Sequence, residues 1–204
     1  MTKDWTGNNK SAFKQLGAST HCDEEREEHD FYATDPSAID DLLKYETFDK
    51  NIWECAVGQG HLAERLKQYG YTVKCTDLID RGYIGTEIVD FLTEKYAFDG
   101  DIITNPPYKY CTEFILNALD SIPAGHKLAM FLKLTTLEGK KRYDEIYSKY
   151  PPKTIYVYVN RVACAKNGEF GKRNNKGKYH SAVCYAWFVW VKDEYTTTEL
   201  KWIY

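Results

Sequence analysis

The sequence predicts an α/β domain with a mainly parallel sheet and helices on both faces. Three observations lead there. Short apolar runs of strand length alternate with stretches whose apolar residues recur at helical spacing. A glycine-rich turn follows the first clear strand, and no repeat or low-complexity linker interrupts the pattern. With 204 residues, 43% of them apolar, the chain fits one domain with a sizeable core.

Residues 1–30 are polar and end in the acidic cluster Asp23-Glu24-Glu25-Arg26-Glu27-Glu28, so a solvated N-terminal arm is expected before a single domain over 31–204. Asp35-Pro36 reads as a helix start, with a side-chain acceptor followed by proline in the first turn. Ile39, Leu42 and Leu43 give that helix its buried stripe. A strand over 51–56 runs into Gly58-Gln59-Gly60. The helix marked by Leu62, Ala63 and Leu66 then closes at Gly70, and a second strand occupies 71–76. Strands are also expected at 100–104, 128–132, 153–160 and 182–191. Phe114, Ile115, Ala118 and Leu119 mark one intervening helix, and Tyr143, Ile146 and Tyr147 another. The last two of these strands have no helix between them and are expected to pair antiparallel.

The net charge of −3 leaves no global field to attract phosphates, so a nucleic-acid surface would have to be a local patch. The cysteines at 22, 55, 75, 111, 164 and 184 form no CxxC pair and read as buried free thiols; no metal site is expected. Nothing resembles a secretory signal or an 18-residue apolar span, and a cytoplasmic location is the expectation.

In an open α/β sheet the ligand lies beyond the carboxyl ends of the strands, with the first strand–helix turn as its cradle. Here that turn is Glu54-Cys55-Ala56-Val57-Gly58-Gln59-Gly60. Its glycines permit a close backbone approach, and Asp77, at the end of the second strand, is placed to chelate a ribose diol. Gly58, Gly60 and Ala63 also satisfy a relaxed dinucleotide fingerprint, which keeps a nicotinamide-dependent oxidoreductase as a rival. Glu54 argues against it, because a carboxylate there suits a cationic amino acid and repels a pyrophosphate.

Asn105-Pro106-Pro107-Tyr108 stops the third strand abruptly. An exocyclic amino group on a heteroaromatic ring is a poor nucleophile because its lone pair is delocalised. Two acceptors for its hydrogens oppose that delocalisation. The Asn105 side-chain oxygen provides one and the Pro106 carbonyl the other, with proline fixing the backbone. Tyr108 offers a flat face on which the ring can stack. These residues are the catalytic candidates.

On these residues the chain resembles the class I S-adenosylmethionine-dependent methyltransferases that modify amino groups, of the Asn-Pro-Pro-Tyr kind, and above all the small phage and prophage type. The likeness covers roughly 31–191. It implies a Rossmann-like, mainly parallel seven-stranded sheet with an antiparallel last strand, helices on both faces, S-adenosylmethionine as cofactor and S-adenosylhomocysteine as product. Tyr32, Thr34, Asp35 and Pro36 match the segment that helps hold the methionine moiety. Glu54, Ala56, Gly58 and Gly60 match the cofactor turn, and Asp77 with Leu78 the ribose acid. Asp90-Phe91 resembles the element that meets the cofactor's adenine, and Asn105 borders the cofactor as well as the substrate. Many family members carry a late aromatic that completes a sandwich around the flipped base. Here that stretch reads Val159-Asn160-Arg161-Val162, leaving the guanidinium of Arg161 as a candidate for the second face.

Between the last two strands, over 162–181, lies a glycine-bearing basic segment. It holds Lys166, Lys172, Arg173, Lys176 and Lys178 against the single acid Glu169, with Phe170 and Tyr179 available for stacking. Such a loop suits phosphate contact and flipping of a nucleotide. Lys133, at the end of the fourth strand, is a further substrate-side candidate. The favoured reading is N6-adenine methylation in nucleic acid, most of all DNA with a flipped adenine, in a bacterial or phage-infected cell. RNA adenine, N4 of cytosine and a protein glutamine amide remain alternatives, as does a non-catalytic binder.

Overall fold

The computed structural model of the chain describes residues 33–93, 95–160, 162, 164–165 and 183–204. Strand β1 (Ala33–Thr34) precedes helix α1 (Ser37–Leu43), whose first turn is held by Asp35: its Oδ1 accepts the Ser37 N–H at 3.0 Å. Strand β2 (Asn51–Glu54), helix α2 (His61–Gln68) and strand β3 (Thr72–Asp77) follow, then β4 (Glu87–Ile88) and β5 (Asp101–Thr104). A 3₁₀ turn at Tyr108–Tyr110 leads into α3 (Cys111–Ser121), and β6 (Lys127–Lys133) comes next. After a 3₁₀ turn at Leu134–Leu137, helix α4 (Lys140–Arg142) passes into a π turn, Tyr143–Tyr147. The remaining strands are β7 (Thr154–Tyr158), β8 (Cys164–Ala165), β9 (Tyr185–Val191) and β10 (Glu199–Ile203).

The main sheet has the order β10-β7-β9-β6-β5-β2-β3-β4. Its neighbours are parallel except at β9, which runs antiparallel to both β6 and β7. Strands β1 and β8 form a separate antiparallel ribbon. The α/β architecture and the antiparallel pairing of β7 with β9 match the sequence expectation. The strand number does not: the sheet has 8 strands rather than seven, and the antiparallel strand is followed by β10, which is parallel to β7. The two strands of this sheet that were not located in the sequence, β4 and β10, are edge strands with little buried surface. Each residue of β4 is exposed, and in β10 only Ile203 is buried, with Trp202 64% exposed. β4, at two residues, is too short to show a period, and the alternation of β10 spans only Glu199-Leu200-Lys201-Trp202, with Leu200 and Trp202 exposed.

Successive strand residues point to opposite faces, and this divides the core in two. Ile52, Ile103, Ala129 and Phe131 pack with Ala38, Ile39 and Leu42 of α1 and Leu62 and Leu66 of α2. Trp53, Ile102, Leu128, Met130 and Leu132 pack on the other face with Phe114, Ile115 and Ala118 of α3 and Ile146 of the π turn. The fully buried tryptophans keep their N–H groups bonded: Trp53 donates to Thr76 Oγ1 at 2.9 Å, Trp187 to the Ala38 carbonyl at 3.0 Å, and Trp190 to the Tyr150 carbonyl at 2.8 Å. Cys55, Cys75 and Cys111 are buried free thiols, as read from the sequence. Cys184 is exposed, because it lies just before β9, outside the packed strand.

At the amino ends of the strands, buried polarity is satisfied. Asp101 accepts the Asp49 and Lys127 backbone N–H groups, both at 2.7 Å, and its Oδ1 lies 3.0 Å from His126 Nδ1. The carboxyl ends contrast with this. Among the described residues, no helix is long and apolar enough to cross a membrane, and no His, Cys, Asp and Glu cluster is arranged to hold a metal ion.

Candidate functional site

Between β2 and β5 the strand order reverses: the chain builds outward through β3 and β4, then returns to the other side of β2. That switch point opens a crevice at the carboxyl ends, the usual ligand position in such sheets. A cleft open to solvent lies there. Its lining brings together Thr34, Glu54, Ala56, Asp77, Asn105, Pro106, Pro107 and Tyr108 from the sequence-predicted residues.

Glu54 ends β2 and is 1% exposed, and neither of its carboxylate oxygens has a hydrogen-bond partner. Burial pushes its pKa up to about 8; the nearby Thr104 hydroxyl and Ala56 amide oppose the shift without reaching hydrogen-bond geometry, and the charge of Asp77 adds to it. An unpartnered carboxylate is costly to bury, so its position at a cleft wall calls for a cationic ligand group.

Asp77 ends β3 and braces the glycine turn. Its Oδ2 accepts the Gly58 N–H at 2.8 Å, and its Oδ1 accepts the Ile79 N–H at 3.1 Å. Gly58 and Gly60 adopt φ values of 56° and 82°, which side-chain-bearing residues rarely take. Helix α2 starts directly from Gly60, with the Glu64 N–H bonded to the Gly60 carbonyl at 2.8 Å.

Asn105 follows β5 without a break, and Pro106 and Pro107 carry the chain to Tyr108 along the cleft wall. The Tyr108 ring is flanked by Tyr185, with centroids 5.9 Å apart, and by Lys133, whose Nζ lies 4.5 Å from its centroid. Lys133 and Tyr185 are cross-strand partners in the β6–β9 register and therefore project from one face of the sheet. Tyr185 in turn stacks on Phe131 at 5.1 Å. Tyr108 is thus held in place by the sheet itself.

Other predicted residues lie elsewhere. Asp35 and Pro36 form the start of α1 beside the cleft-lining Thr34, and Lys133 touches the site through Tyr108. Leu78 is half exposed and outside the cleft lining. Asp90 and Phe91 are also outside it. Asp90 accepts the Leu92 N–H at 3.0 Å, and Phe91 packs in the core against Trp53 and Phe114, each at 5.1 Å. Tyr32, Arg161, Lys166, Phe170, Lys172, Arg173, Lys176, Lys178 and Tyr179 lie outside the described residues, as does the polar arm.

The lining also contains Ala33, Val57, Gln59, His61, Leu62 and Arg81, which sequence reasoning did not single out. Gln59 and His61 belong to the glycine turn and could have been named from it. Burial pushes the pKa of His61 down, with Asp35 partly opposing. Arg81 had no sequence signal, because the turn after β3 must fold back before it reaches the cleft.

No protein-family model and no curated protein matches the sequence. Solved structures do match in fold. A chain assigned to the class I S-adenosylmethionine-dependent methyltransferases, from Listeria monocytogenes, aligns with a TM-score of 0.56 at 13% identity, covering 95% of this chain and 71% of that one. The methyltransferase subunit of a type I restriction-modification system from Streptococcus thermophilus aligns with a TM-score of 0.56 at 14% identity, covering 81% of this chain and 45% of that one. TehB from Haemophilus influenzae gives 0.47 at 13% identity, over 77% of this chain and 62% of that one. The chain therefore spans under two thirds of the length of two of these three. At such identities the two alignments at 0.56 establish the fold alone, the Rossmann-like fold also seen in class I methyltransferases.

Proposed function

We propose that the chain is an S-adenosylmethionine-dependent methyltransferase acting on an exocyclic amino nitrogen, with N6 of adenine in DNA as its target. One observation carries the reading: a single cleft at the carboxyl ends of β2, β3 and β5 unites the unpartnered Glu54, the turn braced by Asp77, and Asn105-Pro106-Pro107-Tyr108.

The residues fit the cofactor by charge. S-adenosylmethionine carries an ammonium, a sulfonium and one carboxylate; the cleft offers the acids Glu54 and Asp77 and the guanidinium of Arg81. A nicotinamide dinucleotide would instead bring its pyrophosphate toward the buried Glu54. In our reading Glu54 and the Thr34 segment hold the amino-acid end, the glycine turn admits the ligand against its backbone, and Asp77 serves the adenosine end. S-adenosylmethionine, when bound, supplies a methyl group on a positive sulfur, an electrophile strong enough to need no deprotonated nucleophile.

The chain's own residues prepare the amine. The Asn105 side-chain oxygen and the Pro106 carbonyl accept its two hydrogens and draw its lone pair out of the ring. Tyr108, buttressed by Tyr185 and Lys133, provides the stacking surface. Holding the nitrogen in place supplies much of the rate. The proton leaves to water afterwards.

Thermal shift separates this reading from its rival. S-adenosylmethionine and S-adenosylhomocysteine are expected to raise the melting temperature and NAD is not; stabilisation by NAD alone would overturn the proposal. Asp77→Ala is expected to weaken cofactor binding about tenfold or more, through loss of two charge-assisted hydrogen bonds that shape the turn, with transfer at saturating cofactor less affected. Calorimetry with steady-state kinetics distinguishes the two effects.

The basic segment supports nucleic acid as the substrate. Two residues of the 162–181 segment, Cys164 and Ala165, form β8, and Cys164 is the register partner of the cleft-lining Thr34. Neutralising Lys172, Arg173 and Lys176 together is expected to reduce the slope of log K against log salt by up to about 3 units for duplex DNA. An unchanged slope would place the phosphate contacts elsewhere.

A further inference from the structure

We infer that Tyr83 is a positioning residue for the cofactor half of the cleft, clamping the turn after β3 onto the glycine turn so that Arg81 is held in the cleft wall. The inference rests on the reading of the cleft as an S-adenosylmethionine site. It assigns a role to a residue that lies outside the lining and outside the motifs in the sequence.

The Tyr83 ring lies directly on Gly60. A Cβ at residue 60 would sit 2.3 Å from Tyr83 Cδ2 and 2.4 Å from Cε2, closer than any real side chain tolerates. Gly60 thus serves two purposes: it takes a φ of 82° and leaves room for this ring. At its far end the Tyr83 hydroxyl donates to Glu64 Oε1 and accepts from Lys67 Nζ at 2.7 Å, both residues lying on α2. Lys67 Nζ also lies 5.1 Å from the ring centroid. The ring borders the small buried cluster of Val57, Ala63 and Cys75, which backs the glycine turn.

Tyr83 lies in the turn between β3 and β4. Gly82 and Gly85 flank it with φ values of 82° and 89°, and an added Cβ at either would meet nothing within 4 Å. These glycines therefore serve backbone geometry, not packing. Ile84 at the tip is 93% exposed. The turn's internal bonds, from the Gly82 N–H to Asp80 Oδ1 at 2.8 Å and from Thr86 Oγ1 to the Tyr83 carbonyl at 2.8 Å, shape it without fastening it to α2. Arg81, two residues before Tyr83, lines the cleft. Among the described lining residues it carries the one permanent positive charge. Fixing Tyr83 on Gly60 therefore fixes Arg81 relative to Glu54 and Asp77.

The test is a double-mutant cycle on the full chain, with S-adenosylmethionine and S-adenosylhomocysteine as calorimetric probes. Tyr83→Phe keeps the ring on Gly60 and removes only the hydroxyl's links to α2; it is expected to weaken cofactor binding by about three- to tenfold, the worth of one or two hydrogen bonds. It is also expected to speed amide exchange over 80–86 and to leave kcat at saturating cofactor unchanged. Arg81→Met is expected to weaken binding by a similar factor or more, and the double variant no further than Arg81→Met alone. Multiplicative effects of the two substitutions, or unchanged affinity in Tyr83→Phe, would overturn the role of Tyr83 while leaving the cofactor reading intact. A wild-type chain that binds neither probe would overturn both.

Discussion

Asn105→Ala is expected to lower methyl transfer by about a hundredfold or more while cofactor affinity stays within a few fold, since removing one preorganised hydrogen-bonding group from an active site costs about 10²–10³ in rate. The residue occupies the first position after β5, and the buried Thr104 and Ile103 behind it leave it little freedom to move. In the proposed role its side-chain oxygen accepts a hydrogen bond from the target amine. Asn105→Asp, which keeps an acceptor of the same shape, is expected to retain more activity than Asn105→Ala. Single-turnover kinetics beside calorimetry provide the check. Equal losses of affinity and rate would contradict the assigned role.

Glu54→Gln is the second large effect, and it separates function from stability. As the counter-charge of the ligand's ammonium, Glu54 should be worth about a hundredfold in cofactor affinity, in the range found when one partner of a buried charge pair is removed. For the folded chain alone, the same carboxyl is a liability. Its pKa stands at about 8 against an ordinary 4.5. An acid raised in the folded state stabilises fully below its unfolded value, and that contribution is lost as pH rises through the folded one. Wild-type stability is therefore expected to decline between about pH 4.5 and 8, and Glu54→Gln to flatten that decline, melting above wild type by several degrees at pH 8 to 9. Binding of an ammonium should also ionise Glu54, so cofactor binding below pH 8 should release a proton, detectable from the dependence of calorimetric heats on buffer ionisation. Cofactor affinity unchanged in Glu54→Gln would remove Glu54 from the site.

The sequence revealed most of the scaffold that builds the cleft and less of its walls. β2, β5 and β6 were legible because they are buried on both faces, and two of them end at glycine or proline signals, Gly58-Gln59-Gly60 after β2 and Asn105-Pro106-Pro107 after β5. β4 and β10 were not: β4 is two exposed residues, and the short alternation of β10 ends in the exposed Leu200 and Trp202 instead of a buried face. Asp77 was placed correctly at a strand end, but its grip on the Gly58 amide depends on the parallel register of β2 and β3, set by tertiary contacts. The Asp90-Phe91 pair shows the reverse limit. An aromatic beside an acid reads the same whether it meets a ligand or, as here, packs against Trp53 and Phe114. Arg81 and Tyr83 were invisible for a related reason: two glycines let their turn fold back onto α2, and turn composition does not encode where the turn lands.

The account hinges on the identity of the methylated atom. Purified chain incubated with methyl-labelled S-adenosylmethionine and separate pools of DNA, RNA and protein, followed by mass spectrometry of the digested nucleosides and amino acids, addresses it directly. Label recovered as N6-methyladenine from DNA, and absent with Asn105→Ala, is the predicted result. Label recovered on glutamine, on a ring carbon or on an oxygen, or undiminished in Asn105→Ala, would contradict it.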